Sequence, residues 1–402
     1  MDRLFDRFPV LTNFRWLALV FAGLVIASTL PRLGKGPHEF NNYTIFSWSF
    51  YNLHAGNDLY AFHPDQHLDL FKYSPTFAVL MAPCWFLPRW AGLLAWNLLN
   101  GGIVFWAVNR LELTARQTAF VLLFVALELF GTIQNGQSNG LMAGLMIGAM
   151  TAFERRQPIF AALLISVGFY VKLFAIVTAV IFAFYPAKRR FLASMVVWMT
   201  LLGALPLLVT SPERLLEQYA SWFQLLAHDP AHDMNYSWMT LTQSWFRFTA
   251  PDSYYLVPGA LLLLLPLTRQ SCWNDASFRL TYLASLLVWV VIFNHKAESP
   301  TYVIAVCGVA LWAVAEPRDI VRQTLLWFTF VFTILSASDV FPSWVKVQIW
   351  QPWRLKALPC LVVWVWMTGE LLWSREFGRR KGVQDLANSE RTDLLLANAA
   401  TN

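Results

Sequence analysis

The sequence predicts an all-α fold, a polytopic membrane helical bundle of about twelve transmembrane helices with a long amphipathic first outer loop. Three observations predict it. Apolar residues make up 57% of the 402-residue chain and charged ones only 13%, about half the roughly 25% of an ordinary globular protein. Apolar runs recur along almost the whole chain, and the basic residues between them sort to one side. Too little polar surface is present to cover a water-soluble fold, and disorder, collagen, coiled coil and a secreted disulfide scaffold are excluded with it.

The runs come in order as Trp16–Leu30, Ala91–Val108, Gln117–Ile133, Gly140–Phe153, Ile159–Val171, Phe174–Tyr185, Phe191–Val209, Leu256–Leu267, Phe278–Phe293, Thr301–Val314, Ile320–Leu335 and Leu358–Trp373. Several are shorter than the ~20 residues a helix needs to cross the hydrocarbon core. Short spans suit a bundle whose helices break at a polar cavity. Phe77–Leu87 is also apolar, but it is short and sits among Pro75, Pro83 and Pro88. It is expected to be interfacial or re-entrant.

Charge orients the bundle. Asp2, Arg3, Asp6, Arg7 and Arg15 lead into the first run with no small-residue cleavage site behind it, the pattern of a retained span rather than a signal peptide. With the N-terminus cytoplasmic, the inner loops receive Arg110, Arg116, Arg155, Arg156, Lys188, Arg189, Arg190, Arg269, Arg279, Arg318 and Arg322. In all, 19 of the 30 basic residues fall inside, as the positive-inside rule requires. Counting Phe77–Leu87 as a span would spoil that pattern. The expectation is one membrane domain over 1–373 and a mobile, polar cytoplasmic tail over 374–402. Both termini would then be cytoplasmic, in a multi-pass protein of the inner (plasma) membrane.

A second asymmetry played no part in this placement. All seven histidines, His38, His54, His63, His67, His228, His232 and His295, fall on the outer side, with the two long loops 31–90 and 210–255. The chemistry is therefore expected on the outer, periplasmic face. The net charge of +6 comes from dispersed inner connectors, so no nucleic-acid partner is expected. Cys84, Cys272, Cys307 and Cys360 form no plausible disulfide pair, and no CxxC, P-loop or GxGxxG is present. No metal or cofactor is expected. His228 with His232, and His63 with His67, have metal-like spacing, but Pro230 and Pro64 interrupt the helix such a site needs.

Within the first outer loop, Asn42–Leu53 carries apolar residues at helical spacing and closes at Ala55-Gly56. A helix lying on the outer bilayer surface is expected there. The Gln134–Asn139 turn places four amides, Gln134, Asn135, Gln137 and Asn139, between two spans. Amides suit sugar hydroxyls, and Gly136 permits a tight turn.

The residues Asn42-Tyr43-Thr44-Ile45-Phe46, Gly56-Asn57-Asp58-Leu59-Tyr60 and Lys72-Tyr73-Ser74-Pro75 with Phe77 resemble the first periplasmic loop of glycosyltransferase family 87. The resemblance continues through Trp96–Asn100, the Gln134–Asn139 turn, Gly168–Lys172 and Ser211-Pro212-Glu213, covering about residues 40–225. It implies a GT-C-type fold. It also implies transfer of mannose, or a related sugar, from a polyprenyl-phosphate donor to a glycolipid or glycan acceptor. Neither a nucleotide sugar nor a metal is implied.

Such a transfer needs a base for the acceptor proton and cations for the leaving phosphate. The family places Asp before the aromatic of the first loop, where this chain has Asn42, and an amide takes no proton. Glu39, Asp58, His295 and Glu298 remain as candidates for the base; Asp58 also suits the cap of the next turn. Lys72, beside Tyr73, and Lys172, between two apolar runs, are the candidates for the phosphate. An ionisable residue at membrane depth is by default functional. A rival reading, a transporter of lipid-linked sugar or small solutes, needs paired intramembrane charges. Glu128 and Glu370 are the only acids within spans, and neither has an evident partner in the sequence. A non-catalytic member of the family is a third reading, kept open by Asn42.

Overall fold

A computed structural model describes residues 2–228, 235–317, 319–338 and 340–377. Every one of the apolar runs falls in a helix, and no strand occurs among the described residues. The helices are α1 (Phe14–Leu33), α2 (Asn41–His54), α3 (Pro75–Leu80), α4 (Ala82–Phe86), α5 (Arg89–Arg110), α6 (Ala115–Gln134), α7 (Asn139–Glu154) and α8 (Pro158–Val171). A 3₁₀ segment, Leu173–Phe184, leads to α9 (Lys188–Ala204), α10 (Pro212–His228), α11 (Trp238–Phe246) and α12 (Ser253–Leu264). The last are α13 (Ala276–Ile292), α14 (Tyr302–Ala315), α15 (Ile320–Thr329) and α16 (Ala357–Trp373). Among the described residues, four segments, Phe14–Leu33, Arg89–Arg110, Ala115–Gln134 and Lys188–Leu208, are long and apolar enough to cross a membrane.

Local chemistry starts several of these helices. Asn13 accepts from the backbone of Arg15 and Trp16, and Thr114 and Gln117 cap α6 reciprocally. Asp275 and Asp319 do the same work for α13 and α15.

Helices α7 and α14 are buried almost all round and form the centre with α13. Gly140, Gly144 and Gly148 put the backbone of α7 directly against α5. A Cβ at these positions would meet the Asn100 carbonyl oxygen at 3.0 Å, Ile103 at 2.6 Å and Trp106 at 2.7 Å. Small residues four apart allow this approach, as in other membrane bundles.

The polar contacts fall at two ends of the bundle. At one end α6, α7, α8 and α14 meet through the turns that join them to their neighbours. The other end holds the Arg279–Glu154 pair at 2.7 Å and the bond from Gln117 to the Val314 carbonyl. The segments 34–88, 205–228 and 235–252 belong to the first end, called here the loop end.

Two acidic residues that lack sequence partners acquire them in the fold. Glu128 of α6 pairs with Lys356 at 2.7 Å, their side chains 4% and 3% exposed. Glu370 of α16 pairs with Arg322 at 2.7 Å and also accepts from the indoles of Trp312 and Trp366. Both carboxylates thus tie helices together.

The helix expected over 42–53 is present as α2, ending at Ala55 with Gly56 at φ +77°. Tyr43, Thr44, Ile45 and Phe46 are consecutive and all buried, while Ser47, Trp48, Tyr51 and His54 leave a half-exposed to exposed stripe along the other side. Phe46 packs edge-on to Tyr73, Phe77 and Trp96. Phe77–Leu87 forms α3 and α4, with Phe77 buried and Phe86 76% exposed. Beyond α16, Arg269 binds the Ser374 carbonyl and Phe377 is buried against Phe278. The remainder of the tail, 378–402, lies outside the described residues.

Candidate active site

The loop end gathers side chains from four separate stretches of chain. Helix α8 stops where Lys172 adopts an extended backbone, φ −144° and ψ 120°. Lys172 is the single residue between α8 and the 3₁₀ segment, outside both apolar segments. Its Nζ donates to Asn139 Oδ1 at 2.7 Å and lies 5.9 Å from the centre of the Tyr73 ring. Burial pushes the ammonium down to about 8, opposed by the negative charge of Glu298. That carboxylate accepts from Gln137 Nε2 at 3.0 Å.

The amide turn is built to hold this arrangement. Gly136 has φ +60°, and a Cβ there would meet Tyr43 Cβ at 3.1 Å. Trp96 Nε1 donates to the Gly136 carbonyl at 3.0 Å, and Asn100 Oδ1 accepts from the Leu141 N–H at 2.8 Å. These are residues of the Trp96–Asn100 stretch, so its part is to shape the turn. Asn42 closes the other side, donating to the Asn135 carbonyl at 3.0 Å. Gln137 and Asn139 are buried, and Asn139 Nδ2 has no protein partner. A buried donor left without a partner costs about 1–3 kcal/mol, so a ligand oxygen there has a ready-made contact.

Tyr73 completes the wall. Its phenol is pushed up, first by burial and also by the nearby charges of Glu298 and Asp69, so it stays neutral. The Tyr73 carbonyl accepts from Tyr60 at 2.9 Å, and Ser74 Oγ donates to the Tyr170 carbonyl at 2.5 Å, fastening the first loop onto α8.

Other expected residues have contacts of their own. Glu39 pairs with Arg32. Asp58 accepts from the Tyr60 N–H at 3.0 Å, the turn-capping role. The Lys72 carbonyl accepts from Trp222 at 3.2 Å. Gln134 ends α6 without joining the buried amides. His63 and His67 sit edge-to-face 6.0 Å apart, and burial of His67 pushes its imidazole toward the neutral form. His228 binds the Gln224 carbonyl, whereas His232 lies outside the described residues. No group of three or more potential metal ligands converges among the described residues.

His295 shares the 294–298 turn with Glu298 but faces a different partner. Its Nδ1 is 3.2 Å from Asp252 Oδ2, both side chains being about half exposed. A carboxylate on Nδ1 fixes the tautomer in which Nε2 accepts a proton. Asp252 was not among the sequence candidates, since it lies 43 positions from His295 and looks like any other loop acid.

A cation, a carboxylate and buried amides thus meet at one end of an apolar bundle. Against this geometry, the sequence pattern of glycosyltransferase family 87 matches residues 71–315. The chain belongs to glycosyltransferase family 87. None of the curated proteins matches it. The family 87 match makes this membrane protein a glycosyltransferase, and it contains Tyr73, Gln137, Asn139, Lys172, Asp252, His295 and Glu298. It begins after α2 and extends to the end of α14, further toward the C-terminus than the expected 40–225. Glu39, Asn42 and Asp58, the first-loop candidates, lie outside the matched family 87 region.

Proposed function

We propose that the protein transfers a sugar, most simply mannose, from a polyprenyl-phosphate donor to a hydroxyl of a glycolipid or glycan on the outer face of the inner membrane. In this reading the twelve helical runs all cross the bilayer, and the loop end is periplasmic. The observation that carries it is Lys172, held by Asn139 beside Tyr73 and Glu298 at the end of two apolar segments. A buried ammonium with a neighbouring unused amide donor suits a phosphate whose negative charge grows as the sugar departs.

The acceptor oxygen attacks the anomeric carbon while the bond from that carbon to the phosphate oxygen breaks. The bonding pair leaves with polyprenyl phosphate, which Lys172 and Asn139 Nδ2 receive. The acceptor proton passes to His295 Nε2, with Asp252 stabilising the imidazolium that forms. Gln137 and Glu298 contact sugar hydroxyls. This assignment gives the base role to His295 instead of Glu39, Asp58 or Glu298, because Glu39 and Asp58 are engaged elsewhere and Glu298 faces Gln137 and the Lys172 cation. The absence of an acid at position 42 is then no obstacle to turnover.

The test is transfer from radiolabelled polyprenyl-phosphate-mannose to a total lipid extract by the purified protein in detergent. Labelled lipid is expected. Binding of donor without product would point to a different sugar or a non-catalytic member, and neither binding nor product would remove the donor assignment.

A further inference from the structure

The segment Phe341–Lys356 reads FPSWVKVQIWQPWRLK, with three Trp, one Phe and three cations, and no acid follows before Glu370. In the fold it is a short helix over Ser343–Val345 that widens through Lys346–Trp350 and ends in a turn before α16. Trp344, Val347 and Trp353 are exposed at 57%, 59% and 51%, whereas Trp350 is buried against Phe341 and Phe332. Aromatic rings with polar edges, interleaved with cations, suit the depth of lipid headgroups.

The cations run inward. Lys346 is partly exposed, Arg354 is half-buried 5.9 Å from the centre of the Tyr236 ring, and Lys356 is buried with Glu128. Tyr236 donates its backbone N–H to the Ala297 carbonyl at 2.8 Å, and Asn235 binds the His295 carbonyl at 2.7 Å. Arg354 therefore stands beside the 294–298 turn, one aromatic ring away from it. Its backbone has φ +51°, a conformation uncommon for any residue with a side chain. Glycine would fit that turn without strain, yet a guanidinium occupies it. Sites that keep such strain are often functional.

We propose that Phe341–Lys356 is the entry surface for the lipid donor, and that Arg354 receives its phosphate before Lys172 does. The aromatic residues hold the isoprenoid near the headgroup region, and the planar, permanently charged guanidinium matches the phosphate in shape and charge. The inference rests on the donor class given under Proposed function and adds the route by which that donor arrives.

Equilibrium binding of radiolabelled polyprenyl phosphate and polyprenol to the full-length protein in detergent tests it. The wild type is expected to prefer the phosphate, and Arg354→Gln to weaken phosphate binding about tenfold while leaving polyprenol unchanged. Arg354→Gly relieves the backbone and should bind phosphate as weakly as Arg354→Gln, with no fall in unfolding midpoint. Unchanged phosphate binding in Arg354→Gln, with loss in Lys172→Ala, would overturn the entry surface and leave the donor assignment standing. Equal loss of both ligands, or a lowered midpoint in Arg354→Gly with phosphate preference intact, makes Arg354 structural and also overturns it. No phosphate preference in the wild type would overturn the entry surface and the donor class together.

Discussion

Lys172 donates to Asn139 across 2.7 Å and 33 positions of sequence, joining the turn after α8 to the start of α7. Neither residue is satisfied locally. The lysine has left its helix and the asparagine has only begun one, so each depends on the other for its place. Asn139 keeps its second amide hydrogen unpartnered, which turns a structural tie into a place for a ligand.

Replacing Lys172 by alanine should lower kcat/KM for the lipid donor at least about tenfold, since hydrogen bonds to charged groups contribute roughly 1.5–3 kcal/mol. Radiolabel transfer at limiting donor concentration measures it. Turnover equal to wild type would remove Lys172 from the phosphate site.

The same lysine sets a pH dependence. Burial lowers its ammonium to about 8 in the free protein, so the charged form prevails below that value and is lost as pH rises through it. Donor affinity should therefore fall above pH 8, by about tenfold per unit where only the charged form binds. A Lys172→Arg variant stays charged throughout, and its affinity should be flat from pH 7 to 10.

His295→Ala should reduce kcat by about 10²–10⁴, the usual worth of a general base, with donor KM little changed. Asp252→Asn should reduce kcat less, and the double variant should be no slower than His295→Ala alone, because the two act as one unit. Additive losses would show that Asp252 does not work through His295.

Gly136→Ala places a side chain at φ +60° and within 3.1 Å of Tyr43. The backbone cost alone is about 1–2 kcal/mol, and the clash must displace α2 or the amide turn. Thermal unfolding in detergent should show a lower midpoint, with donor affinity falling as well. A midpoint equal to wild type would mean that the turn relaxes freely.

Removing only one partner of the Glu128–Lys356 pair leaves a buried charge, so Glu128→Leu should destabilise by about 3–5 kcal/mol. Combined with Lys356→Met, the loss should shrink to within about 1 kcal/mol, because two apolar side chains of similar size need no solvation. Unfolding midpoints of the two variants make the comparison.

The helices were legible because a bilayer demands apolar runs, and some runs carry a start signal, as Thr114 and Gln117 do for α6. The amide turn was legible for a local reason as well: Gly136 among four amides has no other economical shape. Helix α2 was legible in part. Its apolar spacing shows that it buries a face, not that Tyr73, Phe77 and Trp96 close over it.

By itself the sequence determined the class of the protein: a membrane helical bundle with its polar, histidine-bearing loops gathered at one end. Only the tertiary structure decided which charges meet. Gln137 finds Glu298 across 161 positions and Lys356 finds Glu128 across 228, while Asp252, not Glu298, faces His295. Helix formation is governed by neighbours within a few residues, so its signals are local. Pairing inside the bundle is set by how helices pack in three dimensions, and no spacing along the chain encodes it.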